Sequence, residues 1–173
     1  MLNYLDNTVY SFLDLSGIIT HPDIGESFSL TGQGVGHIAI TMNEDKTYQE
    51  ISVHGDVIIG MIPGAESGKV EISCQQTSNM HKFLLHTYQT IKGSSDVQSW
   101  GRMVAYLKNI CDGSEHHIKG LTFGRIPEKR YSAQGDMVLW SLNAADIISL
   151  APNPSEAGAS ILGRLRKNFT PQF

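Results

Sequence analysis

The sequence has few charged residues, few cysteines and no long apolar run, and each shortage argues against a class of protein. Charged residues make up 17% of the 173 positions, well below the globular average, and aromatic residues make up 8%. No run approaches the ~18 consecutive apolar residues that a membrane span needs, so we expect no transmembrane helix. The first residues have neither basic flanks nor an apolar centre, so we also expect no signal peptide.

The two cysteines do not form a metal-binding or redox motif. Cys74 and Cys111 lie at the ends of predicted strands, and neither belongs to a CxxC or Cys/His cluster. Because a chain without an export signal usually stays in a reducing compartment, the sequence favours buried free thiols over a disulfide. The spacing alone leaves both possibilities open.

Catalytic and cofactor motifs are also missing from the pattern. The glycines of Gly32-x-Gly34-x-Gly36 resemble a nucleotide loop, but a predicted strand follows them where such a loop requires a helix. His116 and His117 are neighbours, so on a strand they point to opposite faces and chelate one metal poorly. No nucleophile, base and orienting group can be assembled from the spacing. We therefore predict no enzyme, no cofactor and no metal site.

The clearest positive signal is a strand that leads into a helix over residues 68–93. Apolar residues alternate with polar ones up to Cys74, which indicates a strand with one buried face. The period then changes, and the apolar residues Met80, Phe83, Leu84, Tyr88 and Ile91 form one stripe of an α-helix. We predict this helix at about residues 77–92, with Thr77 or Ser78 as its N-cap.

The remaining chain alternates in short segments separated by turn residues. It predicts a mainly β domain, a β-sandwich or partly rolled barrel, with the helix packed against it. We place this domain at residues 1–150 and a C-terminal arm or extension at residues 151–173. Within the domain, the residues at 36–59 predict a hairpin with a polar tip at Asn43–Thr47 and a turn or bulge at His54–Asp56.

Charge is divided unevenly between the two halves of the chain. Residues 1–90 hold ten acids and three bases, a net charge of −7, whereas residues 91–173 hold seven acids and ten bases, a net charge of +3. Such a division can give complementary surfaces to copies of one chain. The pI of about 5.9 and the shortness of the basic clusters argue against sequence-specific nucleic-acid binding.

Several segments together resemble a known family. In matching order they are Tyr10 to Pro22, Gly32 to Gly36, Gly68 to Ser78 running into the helix, and Tyr131 to Asp146. This pattern of strands and turns, over about residues 9–148, resembles the inner tail tube protein family of bacteriophages with contractile tails. The tail after Ala151 departs from that pattern and is not assigned by it.

The resemblance implies a structural virion protein of the phage tail. Members form hexameric rings whose sheets join into one continuous β-barrel, and stacked rings make a channel for DNA ejection. The implied partners are copies of the chain itself, the tail sheath protein, tube initiator and terminator proteins, and genomic DNA that passes without sequence-specific binding. The implied location is the virion tail, assembled in the host bacterial cytoplasm, with no membrane partner.

Two groups of residues are candidates for such roles. Outward acids on predicted wall strands would weakly repel a passing phosphate backbone, and the channel-lining candidates are Glu44, Asp45, Glu50, Asp56 and Glu71. Exposed loops and the basic cluster near the C-terminus would contact other subunits, the next ring or the sheath. These inter-subunit candidates are Asn43, Lys46, Thr47, Pro63, Glu66, Arg164, Arg166 and Lys167.

Besides an enzyme of unrecognised type, which would need a pocket with convergent polar groups, two other functions stay open. One is the tube of a phage-derived contractile injection particle that carries no DNA, which the sequence does not separate from a phage tube. The other is a monomeric β-sandwich binding module, which would have a concave aromatic patch.

Overall fold

Alternation along the chain produces a long antiparallel sheet that one helix covers. The computed structural model describes residues 12–64, 66–110 and 113–151. Its strands are β1 (Leu15–Thr20), β2 (Ser27–Ser29), β3 (Val35–Met42), β4 (Thr47–Ile51), β5 (Val57–Met61), β6 (Gly68–Gln75), β7 (Met103–Asn109), β8 (Glu115–Phe123) and β9 (Met137–Leu150). The helix is α1 (Asn79–Gly93), and short 3-10 helices lie at Phe12–Asp14 and Val97–Gly101.

Seven strands form one sheet in the order β2-β1-β7-β8-β9-β6-β3, and every neighbouring pair is antiparallel. The sheet curls strongly into a half-barrel. The predicted fold class, mainly β with a partly rolled barrel and one helix, is confirmed. Strands β4 and β5 pair only with each other among the described residues.

The core lies between α1 and one face of this sheet, as the two periodicities predicted. Val70, Ile72 and Cys74 of β6 are buried beside Trp140 and Leu142 of β9. The helix contributes the buried side chains Met80, Phe83, Leu84 and Ile91 to the same cluster. Burial of this apolar surface at about 25 cal/mol per Å² is what attaches the helix to the sheet.

The start of the helix is set by one side chain. Ser78 has extended backbone angles, and its hydroxyl accepts a hydrogen bond from the backbone N–H of His81 at 3.2 Å. This satisfies one of the amides that a helix N-terminus leaves without a partner. Of the two predicted caps, Ser78 is therefore the one used, while Thr77 lies exposed.

The prediction for the hairpin at 36–59 placed the turn at the wrong residues. Strand β3 pairs with β6 inside the seven-stranded sheet, and β4 pairs with β5, so the chain leaves the sheet between β3 and β6 as a two-stranded ribbon. Its tip is at Ser52–Asp56, where Gly55 adopts a φ of +88° and Ser52 N–H donates to the Asp56 carbonyl at 2.8 Å. The predicted tip, Asn43–Thr47, instead lies where the ribbon leaves the sheet. Both segments carry turn-forming residues, and only the pairing shows which one reverses the chain.

Candidate functional site

The sheet face turned away from α1 is uncovered among the described residues, and we call it the open face. Strand alternation places Leu139, Ser141 and Asn143 of β9 there, opposite Ser73, Glu71 and Lys69 of β6. Ile18, Val104 and Tyr106 of β1 and β7 continue it across the sheet. It is a broad wall with scattered apolar, hydroxyl and amide groups.

Charges on the open face are balanced. Three lysines and three carboxylates lie on it: Lys69, Lys108, Lys119, Glu71, Glu115 and Asp146. Lys108 donates to Glu115 at 2.8 Å, which raises the pKa of Lys108 and lowers the pKa of Glu115. Lys119 lies opposite Asp146 in the β8–β9 register. The described open face therefore has no surplus charge of either sign.

One aromatic residue of the sheet lies on the open face and not in the core. Tyr106 is half-buried and its ring lies 4.8 Å from the ring of His117, which is opposite it on β8. Other aromatic residues belong to the core region, where Trp140 meets Phe123 edge to face and Tyr88 contacts Trp100. The alternation of β7 sends Tyr106 outward because Ala105 and Leu107 point inward.

The β4–β5 hairpin projects from the sheet, and we call residues 47–61 the arm. All five residues of β4 are exposed, and so are four of the five in β5. One face of the arm carries the apolar side chains of Ile51, Val57, Ile59 and Met61. On this face, Ile51 and Met61 are each 75% exposed. A two-stranded hairpin is marginal alone in water, and an uncovered apolar face on one predicts a docking partner.

The arm base brings together the inter-subunit candidates of the first half of the chain. Asn43 donates its backbone N–H to the Ser67 carbonyl at 3.0 Å, and Ile62 donates to the Lys46 carbonyl at 2.8 Å. The Lys46 ammonium forms an ion pair with the Glu66 carboxylate. Thr47 begins β4, and Pro63 lies in the returning connection. Arg164, Arg166 and Lys167 lie outside the described residues.

The five channel-lining candidates do not share one surface. Glu71 lies on the open face, on β6. Glu44 and Asp45 lie in the connection at the arm base, Glu50 lies on β4, and Asp56 closes the turn at the arm tip. The sequence showed that these acids were outward, but it did not show that four of them belong to the ribbon beyond the sheet.

A cluster of His, Asp and Ser side chains at one end of the sheet has the residue types of a hydrolase. The fully buried His21 ring contacts the carbonyl of Ser99, not its hydroxyl, at 2.7 Å, and its Nδ1 accepts from the Asp23 backbone at 3.2 Å. Ser99 donates to Asp23 at 2.6 Å, and Arg102 pairs with the same carboxylate at 3.0 Å. The Ser99 hydrogen bond is the main reason that the pKa of Asp23 is lowered. Each group is engaged in joining the β1–β2 loop to the residues before β7.

The described residues offer neither a cluster of metal ligands nor a membrane-spanning helix. No group of three or more His, Cys, Asp or Glu side chains could hold a metal ion in that part of the chain. None of its helices is both long and apolar enough to cross a membrane. Cys74 is a buried free thiol, and its burial raises its pKa; Cys111 lies outside the described residues.

A cleft of 710 Å³ borders the open face beside the loop at residues 125–136. Lys69, Glu71, Arg125 and Arg130 line it together with Leu139, and none of its lining residues is aromatic. This cleft therefore lacks the concave aromatic patch that the binding-module alternative predicts.

Comparison with known proteins agrees with this architecture. The sequence model of the family described as bacteriophage PhiTE tail tube protein matches residues 7–151. No curated protein matches the chain. A solved chain of the PVC sheath–tube complex, an extracellular contractile injection system in its extended state, is 10% identical with a TM-score of 0.50, over 86% of this chain and 95% of that one. At that identity the likeness shows a shared fold.

A second solved structure is the tube-terminating cap of the anti-feeding prophage. Its matched chain is 14% identical with a TM-score of 0.47, over 79% of this chain and 88% of that one.

Proposed function

The chain belongs to the bacteriophage PhiTE tail tube protein family, and on that premise we propose that its copies close into hexameric rings that stack head to tail as the inner tube of a contractile tail. The role is structural and involves no catalysis. The observation that carries the proposal is the family match over residues 7–151, which spans the sheet, the helix and the arm.

Ring closure follows from the edges of the sheet. Strand β3 pairs only with β6 among the described residues, and β2 at the opposite edge pairs only with β1. Unpaired edges are templates for strands of another chain, and a closed barrel removes them. We propose that edges of neighbouring subunits meet in this way and form one continuous barrel.

The open face supplies the channel wall in this proposal. DNA must slide through a tube without being held, and lysine clusters would hold it by contacts to phosphates. The balanced charges of this face, together with Ser141, Asn143 and Ser73, meet that requirement. Glu71 is then the channel-lining candidate that this geometry supports best. Glu44, Asp45, Glu50 and Asp56 line the channel only where the arm reaches it.

The arm and its base supply contacts between subunits. The exposed apolar face of the arm needs a cover, and Asn43, Lys46, Thr47, Pro63 and Glu66 lie where the arm joins the sheet. We place these residues at a neighbouring subunit or ring. Arg164, Arg166 and Lys167 meet an acidic surface of another subunit or of the sheath.

The partners follow from a tube inside a contractile tail. They are the sheath, an initiator, a terminator, and genomic DNA passing through the channel, and assembly takes place in the bacterial cytoplasm. The PVC chain, whose fold this chain shares, comes from a complex of sheath and tube. That supports a sheath around this tube.

Electron microscopy tests the assembly directly. Purified, untagged protein is examined by negative stain over a range of concentrations, with the expectation of rings or hollow tubes with six-fold end views. A uniform monomer at the highest concentration would overturn the tube and favour the monomeric binding module.

The channel wall is tested by labelling assembled tubes. Ser141→Cys places a thiol on the open face, and Lys82→Cys places a matched thiol on the exposed side of α1. Gold-labelled Ser141→Cys tubes are expected to carry density inside the channel, and Lys82→Cys tubes outside it. The reverse pattern would show that the helix faces the channel.

A tube of a phage-derived injection particle is the second candidate, because the PVC chain with the shared fold belongs to an extracellular contractile injection system. Nuclease-treated particles distinguish the two functions. Protected DNA in particles that contain this chain supports a phage tail, and intact particles without DNA support the injection particle.

A further inference from the structure

The uncovered arm, taken together with its base, is acidic as well as apolar. Residues 43–64 carry four carboxylates, Glu44, Asp45, Glu50 and Asp56, against Lys46 as the single base, a net charge of −3. Glu50 lies on β4 opposite Ile58, on the arm face that does not carry Ile59 and Met61. Glu44 and Asp45 lie at the arm base, and Asp56 lies at the arm tip. The apolar face lies between the acids of the base and the acid of the tip, and Ile59 is 66% exposed and Met61 is 75% exposed on it.

The segment beyond the described residues has the opposite character. Residues 152–173 hold three bases, Arg164, Arg166 and Lys167, against the single acid Glu156, a net charge of +2. The apolar residues Ile161, Leu162, Leu165 and Phe169 are interspersed with these bases. A segment that is basic and apolar complements a hairpin that is acidic and apolar.

The chain enters this segment at the end of the sheet from which the arm projects. Strand β9 runs antiparallel to β6 until Ala144 meets Gly68, and then continues past the start of β6 to Leu150. Ile147 donates its N–H to the carbonyl of Glu66 at 2.9 Å, directly beside the arm base. In a ring of rotated copies, every arm base and every Ala151, after which the segment begins, therefore lie at the same level.

The segment is long enough to reach the next copy. Its 22 residues span up to roughly 70 Å when extended, whereas a domain of this size has a diameter of roughly 40 Å. Each strand of the arm has five residues and is only about 17 Å long. A few turns or one short strand formed by the segment would therefore be long enough to cover the arm.

We propose that the apolar, acidic arm of each subunit is the docking site for the basic C-terminal segment, residues 152–173, of the neighbouring copy in the ring. The inference rests on the proposed function, because it requires a second copy beside the first. This docking would bring the inter-subunit candidates of the arm base and those of the C-terminal segment into one contact. A head-to-tail contact of this kind is heterologous, and repeated around a ring it closes.

Zero-length cross-linking tests this contact and identifies its source. Unlabelled and ¹⁵N-labelled subunits are mixed in equal amounts before assembly, and the tubes are treated with a carbodiimide, which joins a lysine amine to a carboxylate. We expect mass spectrometry to find Lys167 linked to Glu44, Asp45, Glu50 or Asp56, with mixed-isotope pairs making up about half of these links when neighbours are random.

Lys167→Arg is the control variant for this cross-link. Lys167→Arg keeps the charge but removes the amine, so its tubes are expected to form and to lose the link. Tubes in which Lys167 shows no link to the arm would overturn the docking while the proposed function stands. Links between identical isotopes alone would place the segment on its own arm and overturn it as well. Protein that forms no rings would overturn the proposed function and this inference with it.

Charge reversal gives a second measurement. Replacing Arg164, Arg166 and Lys167 by Glu is expected to raise the concentration needed for assembly roughly tenfold, as is replacing Glu44, Glu50 and Asp56 by Lys. The variant that combines all six substitutions is expected to assemble at close to the wild-type concentration. Lys82→Glu on α1 is expected to leave that concentration unchanged. Failure of the combination to recover would contradict the pairing.

Discussion

Trp140 and His81 form the polar contact at the centre of the core. The indole N–H donates to Nδ1 of His81 at 3.0 Å, and both side chains are buried. Nδ1 must therefore be unprotonated, which leaves the ring proton on Nε2. The burial of His81, and to a smaller extent the nearby charge of Lys129, lower its pKa. The joint between helix and sheet thus depends on a neutral imidazole.

This dependence predicts a loss of stability in mild acid. Unfolded His81 has a pKa of about 6.5 and takes up a proton more readily than the folded residue, so the free energy of unfolding is highest above that pH and falls as the pH drops below it. Urea denaturation at pH 7 and pH 5 measures the change. Asp23 and Glu115, whose pKa values are lowered, lose their contribution only below about pH 4.

The matched variant is His81→Gln, which does not titrate. We expect its free energy of unfolding to be lower than that of the wild type at pH 7 but to change less between pH 7 and pH 5. An equal pH dependence in both proteins would show that another group is responsible.

The helix cap gives a second prediction with a neighbour as its control. Ser78→Ala removes the acceptor of the His81 amide and is expected to lower the free energy of unfolding by about 1 kcal/mol. Thr77→Ala, one residue earlier and exposed, is expected to change it by less than about 0.5 kcal/mol. Chemical denaturation measures both, and equal losses would contradict the assignment of the cap.

Gly68 is where the arm joins the sheet, and there is no room for a side chain. A Cβ at this position would lie 2.4 Å from the carbonyl oxygen of Thr41 and 2.5 Å from the side chain of Ile147. Gly68→Ala is therefore expected to lower the free energy of unfolding by about 1–3 kcal/mol. Gly101→Ala, where nothing lies within 4 Å, is the control and is expected to be close to neutral. A neutral Gly68→Ala would mean that the ribbon shifts freely at this point.

The strand β6 and helix α1 were predictable because each has a clear period and the change between them is abrupt. The ribbon was harder, since turn-forming residues occur at both Asn43–Thr47 and Ser52–Asp56. Cross-strand pairing decides between them: β3 pairs with β6, so the first segment cannot reverse the chain. Pairing partners far apart in sequence leave no local signal.

For a related reason, the sequence could not show which of the channel-lining candidates share one surface. Alternation shows that Glu50 and Glu71 both point outward, but not that one lies on the arm and the other on the sheet. The position of α1 defines which sheet face is open, and the helix is placed by tertiary packing of its apolar stripe. Tyr106 shows the same limit, since an aromatic residue in an alternating strand suits either face.

The exposed arm gives the last prediction, which separates assembly from folding. Ile51→Thr combined with Ile59→Thr keeps β-branched residues on the strands but removes apolar surface that the subunit does not bury; these side chains are 75% and 66% exposed. The free energy of unfolding of the monomer is expected to change by less than about 0.5 kcal/mol.

Assembly is expected to respond differently. Each substitution exchanges an ethyl group that the tube buries for a hydroxyl, so the concentration needed for assembly should rise by roughly tenfold or more. Sedimentation measures this against Val97→Thr, an apolar residue 81% exposed outside the arm, which should assemble like the wild type. Unchanged assembly of the arm variant would mean that the apolar face of the arm stays in water within the tube, since burying that face is the only route by which the two substitutions can weaken association without weakening the fold.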